Sequence, residues 1–441
     1  MAKGQLWETR PLEFWTKAKE LRAGWQKSIE SKAKVVGQGN TNDVNFDWQA
    51  AFPAITVIED NPVGAMMANK NEPFARKARL ACEIRGWGRE ICGYQGNCWG
   101  AQFLGHLEDG TPFPHRKFFI PQPCVCDTHS KRAAQLKDFE NVPQWGADRP
   151  MYLGPWDPER NGPMMEHRIH CNLKIINDME RIFNQKCDDE MLEKLRIGNS
   201  QVTKYAEEVS LLMARTIPTP LSVKDLYSVF TLGLLTKVDP QETINFWKMV
   251  RDEVKWRAEN QIAAVGTERF RWIEAHPPSW HYMKYYRYME GYGAVCLGSQ
   301  YSHTTSGSLE FKPDGSIGRR EVPLYPEDTP VKTREDILRK SCGTEARRMD
   351  RYKMDEYLRQ DAIVEFAKIF RADGAIMPLW RHGVGCTLTR KEQAMYLKEA
   401  GVSVMHYEGS APGDRTDLDE KRLLDQLDAW MQSLGLRRLE D

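Results

Sequence analysis

Ten cysteines occur among the 441 residues, and three places hold them where a core residue is not expected. Cys92 lies in the turn Glu90-Ile91-Cys92-Gly93-Tyr94, just past a helix that Gly86 and Gly88 terminate. Cys124 and Cys126 follow the apolar run Phe118 to Ile120 and precede a helix starting near Ser130. Cys386 ends the loop Arg381-His382-Gly383-Val384-Gly385, after the apolar run Ala375 to Trp380. The helix after it is announced by Thr389 and Glu392, a capping-box pattern. Two of these places fall at the carboxyl end of an expected parallel strand, the edge where open α/β sheets bind ligands. Helix N-termini there add unpaired N–H groups and positive potential, which suit an anionic, thiolate-held group. The glycines flanking Val384 let backbone approach inorganic sulfide. A [4Fe–4S] cube held by three cysteines leaves one iron open for chemistry. Spacing alone is not specific, because no compact ferredoxin run occurs and structural zinc or plain core cysteines compete. Nor does it choose between Cys124 and Cys126, which share one side of an extended strand.

The other six cysteines read as structural. Cys82 shares a helical face with Phe74, Ala78 and Ala81, while Cys171 and Cys187 sit in or beside helices. Cys296 falls in an expected buried strand, and Cys98 and Cys342 in segments of no clear pattern. The N-terminus is polar and carries no apolar signal core, so a cytoplasmic chain with reduced thiols is expected. Lysine plus arginine balances aspartate plus glutamate at 62 each, so no basic field points to nucleic acid. No apolar run approaches bilayer length, so no membrane partner is expected.

Positioning these cysteines calls for an α/β scaffold. Strands are expected at Ala54 to Ile58, Phe118 to Ile120, Val142 to Gly146, Ala294 to Leu297, Ala375 to Trp380 and Val402 to Tyr407. Helices are expected at Pro73 to Arg85, Ser130 to Phe139, Met354 to Arg371, Arg390 to Ala400 and Glu420 to Leu434. Between them, residues from about 160 to 275 read as almost wholly helical, with Ile169, Leu173, Ile176, Met179 and Phe183 on one face. The expected architecture is two Rossmann-like (flavodoxin-like) parallel-sheet domains, with a helical segment between them and the cluster at their interface. The boundaries are an N-terminal helical arm over 1–45, a first α/β domain over 46–158, the helical segment over 159–275 and a second α/β domain over 276–441.

At these same cysteines the sequence resembles the active-site subunits of the 2-hydroxyacyl-CoA dehydratase and benzoyl-CoA reductase family. Ala81-Cys82-Glu83 through Gly88-Arg89-Glu90-Ile91-Cys92-Gly93-Tyr94 is similar to the first cysteine segment of that family. Cys126-Asp127-Thr128-His129 is similar to the second and favours Cys126 over Cys124. Ala372-Asp373-Gly374 followed by a strand and Cys386 is similar to the third, although the approach to Cys386 is richer in glycine. The tail Lys398-Glu399-Ala400-Gly401-Val402, then Gly413-Asp414-Arg415, also fits. Tyr292 through Ser302 looks most like the larger benzoyl-CoA reductase subunit (the B or O type).

The resemblance implies a [4Fe–4S] cluster on Cys92, Cys126 and Cys386, and reduction of the benzoyl-CoA ring to a cyclic dienoyl-CoA. It also implies a homologous second active-site subunit, an ATP-hydrolysing iron–sulfur activator and reduced ferredoxin as electron source. No G-x4-G-K-[S/T] loop occurs in this sequence, so ATP is assigned to another chain. A 2-hydroxyacyl-CoA dehydratase subunit is the alternative within the family, and a zinc or scaffold subunit the alternative outside it. Proton transfer needs a donor, and His303 and His129 are the candidates, with helix capping or cluster support the competing role for His129. His382 is placed to tune the cluster by hydrogen bonding. Trp280, Ser299, Gln300 and Tyr301 are candidates for the acyl pocket, while the tyrosines at 282, 285, 286 and 288 read more readily as packing or subunit interface than as substrate contacts.

Overall fold

The computed structural model describes residues 5–32, 35–39, 48–58, 64, 67, 70–88, 91–113, 117–120, 128, 131, 135, 139–145, 157–230, 232, 239–275, 282–299, 302–303, 309–319, 329–343, 362–380, 389–409 and 419–439. Two parallel sheets organise them. The smaller has the order β2 (Ile55–Ile58), β1 (Val35–Gly39), β3 (Phe118–Ile120). The larger has the order β5 (Ala294–Gly298), β4 (Phe270–Glu274), β8 (Gly374–Trp380), β9 (Ser403–Gly409). A short antiparallel hairpin, β6 (Leu309–Phe311) with β7 (Ile317–Arg319), stands apart from both.

Alternation along the strands of the larger sheet sorts side chains onto two covered faces. Ile273, Val295, Leu297, Ala375 and Met377 face one core. That core is completed by α9 (Ala362–Ile369), α10 (Arg390–Glu399) and the helices described below. Phe270, Trp272, Cys296, Ile376 and Met405 face the other, under α8 (Lys284–Glu290) and α11 (Glu420–Ser433). Seven register pairs, from Gly374 with Ser403 to Trp380 with Gly409, join β8 to β9. The first strand in sequence, β4, lies in the middle, so the chain winds outward from it in both directions. The order reverses between β4 and β8, and such a switch point leaves a crevice at the carboxyl ends of the strands.

Long helices join the two sheets. Asp157 and Asp188 accept backbone N–H bonds at the starts of α4 (Pro158–Phe183) and α5 (Asp189–Arg215). Leu192 and Leu195 of α5 pack with Ile55, Phe118 and α4 under the smaller sheet. Farther along the same helix, Val202, Ala206, Val209 and Met213 pack under the larger one. Helices α6 (Val223–Phe230) and α7 (Pro240–Glu259) complete that layer. The N-terminal helix α1 (Phe14–Lys32) packs Phe14, Ala18 and Leu21 into the same core. Its first turn is held by α7, because Glu13 and Phe14 donate backbone N–H bonds to Glu253 at 3.0 and 2.9 Å.

Several elements differ from the sequence expectation. Residues 35–39, assigned there to a helical arm, form the middle strand of the smaller sheet. Residues 270–274, assigned to the helical stretch, form the middle strand of the larger one. Only Gln144 of the expected strand at 142–146 takes part in a β-bridge among the described residues, and 146 lies outside them. Of the expected helix at 130–139, the described positions 131, 135 and 139 are helical. Thr389 does not cap α10 as a capping box requires: it adopts φ 63 and its side chain makes no capping bond.

Candidate functional site

The cysteine described at a helix terminus is Cys92. It is the N-cap of α3 (Gly93–Leu104), half-buried, with no capping bond from its side chain, and its carbonyl accepts from Gly96 N at 2.9 Å. Helix α3 lies so close to α2 (Glu72–Ile84) that a Cβ on Gly100 would overlap the Ala78 carbonyl. That close approach fixes where the thiol sits. A thiolate there faces the positive end of the helix, the polarity expected for a ligand to an anionic group. Cys124, Cys126 and Cys386 lie outside the described residues. In sequence, Cys126 stands six residues after the end of β3 at Ile120, and Cys386 six after the end of β8 at Trp380. Among the described residues no three His, Cys, Asp or Glu side chains are grouped to hold a metal.

The remaining cysteines behave as core residues. Cys82, Cys98, Cys187, Cys296 and Cys342 are buried and Cys171 is half-buried. Burial pushes the Cys82 and Cys187 thiols up to about 12, and that of Cys296 well above its ordinary value.

At the switch point the structure reveals a group that the sequence reading did not single out. Glu274 ends β4, is 1% exposed, and receives three tyrosine hydroxyls. Tyr227 of α6 donates at 2.9 Å and Tyr285 of α8 at 2.8 Å, while Tyr286 donates to the oxygen that Tyr227 also uses. No ion pair reaches Glu274 among the described residues. Burial raises its carboxyl to about 7, against the downward pull of the three hydroxyls. The tyrosines themselves are pushed well above their ordinary value, first by burial and then by the Glu274 charge. Trp272 stacks on Tyr286 with ring centroids 5.5 Å apart, and Tyr286 on Tyr285 at 4.4 Å, which dries the surroundings. Phe270-Arg271-Trp272-Ile273-Glu274 looked helical because charges interrupt it. The bulky residues Phe270, Trp272 and Ile273 ending in a carboxylate before Ala275-His276-Pro277-Pro278 were the available signal.

The end of β5 adjoins this cluster. Ser299 Oγ lies 3.3 Å from the Tyr227 hydroxyl, and Ser302 N donates to it at 3.2 Å. Since Tyr227 gives its hydrogen to Glu274, Ser299 is the donor between those two hydroxyls. Gly298 takes φ 114, and a Cβ there would press on His303 Nε2. His303 is 1% exposed. Its Nε2 lies 2.8 Å from the Leu297 carbonyl, which only accepts, so that nitrogen carries the hydrogen. Nδ1 therefore accepts from Ser210 Oγ of α5 at 2.7 Å. Burial lowers the ring to about 4, so it is neutral at physiological pH and joins α5 to the end of β5. The structure thus brings Ser299 within reach of the Glu274 cluster through Tyr227. His303, whose backbone N–H donates to the Ser299 carbonyl at 3.2 Å, turns its ring to Ser210 and the rings of Phe366 and Phe370. His129, Trp280, Gln300, Tyr301 and His382 lie outside the described residues.

No helix is long and apolar enough to cross a membrane among the described residues. No curated protein matches the chain significantly. A family profile described as 2-hydroxyglutaryl-CoA dehydratase, D-component, matches residues 78–434. That span contains Cys92, Cys126, Cys386 and the whole of the larger sheet. With four-fifths of its length matched, the chain belongs to the 2-hydroxyglutaryl-CoA dehydratase D-component family.

Proposed function

We propose that the protein is the active-site iron–sulfur subunit of an ATP-dependent, ferredoxin-driven benzoyl-CoA reductase, with Cys92, Cys126 and Cys386 holding a [4Fe–4S] cluster. The observation that carries the reading as an active-site subunit of this enzyme family is the family match over 78–434, which includes all three cysteines. The choice of ring reduction rests on the resemblance of Tyr292 through Ser302. Cys92 at a helix N-terminus has the donor chemistry the role needs. When bound, such a cluster supplies one-electron transfer at low potential. The rest falls to the chain and its partners: a homologous subunit, an ATP-hydrolysing activator and reduced ferredoxin.

Within this chain, Ser299 with Trp280, Gln300 and Tyr301 is proposed to hold the acyl group at the carboxyl edge of the larger sheet. Aromatic walls beneath that edge exclude water, which keeps a strongly reduced site from losing electrons to side reactions. His303 serves the site as a neutral bracket that ties α5 to the end of β5, a role its hydrogen bonds with Ser210 and the Leu297 carbonyl support. His129, three residues beyond Cys126, stays a candidate for proton transfer. The resemblance of Tyr292 through Ser302 favours ring reduction, whereas the family description favours a second reading, dehydration of a 2-hydroxyacyl-CoA.

Two measurements decide. Anaerobically purified wild-type protein is expected to carry about four iron and four acid-labile sulfide per chain, as one cube requires. Cys92→Ser, Cys126→Ser and Cys386→Ser are each expected to lose most of both. A folded wild type without iron or sulfide ends the cluster reading in favour of a scaffold or zinc subunit. The complete complex is then given each thioester anaerobically, with the activator and a reductant. Benzoyl-CoA gaining two hydrogens by mass supports the reductase, and a hydroxyacyl-CoA losing water establishes the dehydratase in its place.

A further inference from the structure

Glu274 poses a question that neither the cysteines nor the family answers. A carboxylate buried without a cation is costly, and an apolar core has no need of one. Three hydroxyls are turned on it from two helices, α6 and α8, so its place is built. It sits at the end of the central strand, beside the switch-point crevice, and its hydrogen bonds continue in one direction. Glu274, Tyr227 and Ser299 form a chain of three proton-bearing groups, each buried, running from the end of β4 to the end of β5.

We infer that Glu274 is the proton-loading residue of the site, delivering a proton to bound thioester through Tyr227 and Ser299. This rests on the function proposed above and adds the route by which that site is supplied with protons. In the ionised state Ser299 donates to Tyr227 and Tyr227 to Glu274. When a proton binds Glu274 Oε1, the carboxyl becomes the donor to Tyr227. Tyr227 then turns its own hydrogen to Ser299, and the polarity of the chain reverses. Ser299 passes its hydrogen to the acyl group as that group becomes basic on accepting electrons from the reduced iron–sulfur donor. Tyr227 refills Ser299, and Glu274 refills Tyr227. One proton has moved, the carboxylate is restored, and it is reloaded from solvent. Glu274 acts through its neighbours and does not itself touch substrate.

The groups facing Glu274 are compatible with this role. Tyr227, Tyr285 and Tyr286 remain protonated throughout the working range, as does Cys296 on β5. Tyr407 of β9 lies behind Tyr285, and the Lys224–Glu290 pair farther out on α6 and α8 is internally neutral. Glu274 is therefore the one group in the cluster, among the described residues, that exchanges a proton near pH 7.

The test has two parts. Infrared titration of the purified full chain, wild type minus Glu274→Gln, is expected to show a carboxyl titrating between about pH 6 and 8. No such difference band overturns the inference, whatever the activity. In the complete complex, Glu274→Gln and Tyr227→Phe are each expected to lower kcat about tenfold or more with KM little changed. The solvent isotope effect should rise, and the pH dependence of kcat between about 6 and 8 should vanish in Glu274→Gln. Both variants keeping the wild-type kcat and pH profile overturn the relay and leave the proposed function intact. A complex that turns over neither thioester fails that function, while the titration still decides whether Glu274 loads. Should Glu274→Gln not fold, Tyr227→Phe carries the kinetic test and wild type in labelled-glutamate form the titration.

Discussion

Glu274 and His303 stand at the ends of neighbouring strands and respond to pH in opposite senses. The folded-state carboxyl of Glu274 is raised from 4.5 to about 7. The folded protein thus holds a proton that the unfolded chain releases, and stability falls as pH rises from about 4.5 to about 7. The ring of His303 is lowered from 6.5 to about 4. Here the unfolded chain takes the proton first, and stability falls as pH drops from about 6.5 to about 4. The two slopes offset one another through the shared window. Substituting either residue exposes the other: relative to wild type, Glu274→Gln should be more stable at pH 8 than at pH 5 by about 3 kcal/mol. His303→Gln should show the reverse dependence with similar size. Denaturant melts at the two pH values check both, and parallel wild-type and variant curves would remove the two groups from the linkage.

Among the elements, the close α2–α3 pair carries the position of Cys92, and its interface has no room for a methyl group. Gly100→Ala forces the helices apart and should cost about 3 kcal/mol, as overpacking does. It should also make the Cys92 thiol react faster with an alkylating reagent. Gly24→Ala is the control, because nothing lies within 4 Å of that position on the exposed side of α1. There the change should raise stability by up to about 1 kcal/mol. Thermal melts separate the two, and a neutral Gly100→Ala would deny that packing fixes the thiol. Legibility in the sequence also divides by element. Strands β3 and β8 were readable because continuous apolar runs ended at punctuation, and β9 because apolar residues recur along it. Helices α2 and α11 were readable because boundary residues and periodicity agreed, whereas α10 was readable from a capping pattern that its N-cap, Thr389, does not use. The two central strands were not. Val35–Gly39 offers too little apolar length, and Arg271 interrupts β4 with a charge that tertiary structure satisfies. Its guanidinium pairs with Glu268 and donates to the Met213 and Phe370 carbonyls. The same hidden strand concealed Glu274, whereas the cysteines stood out because residue type alone singled them out.

At the scale of the whole molecule, α5 is the connection between the two sheets. At 27 residues it is roughly 40 Å long, with one half in each core. The N-terminal segment ties them a second time: α1 seats on α7 under the larger sheet, and β1 follows it into the centre of the smaller one. Buried Arg257 pairs with Glu253 and donates to the Arg10 and Pro11 carbonyls at 2.7 Å. Glu253→Ala removes the cap on α1 and leaves that guanidinium without its carboxylate, at a cost of about 3 kcal/mol. Limited proteolysis should then cut between residues 5 and 13 much faster than in wild type, as read by mass spectrometry. Unchanged cleavage would show that apolar packing alone holds the segment.

This threading has a consequence for synthesis. On the ribosome, β1 meets its neighbours β2 and β3 within the next 80 or so residues of chain. The helix just before it must wait for Glu253 and for Gly266, whose carbonyl receives Trp7 N. At about 5–20 residues per second, that delay is roughly 10–50 s. During it α1 exposes Phe14, Ala18 and Leu21 without the surface that covers them in the finished protein. The nascent chain therefore carries an apolar helix in need of shelter until Glu253, 239 residues after Phe14, and then Gly266 have been made.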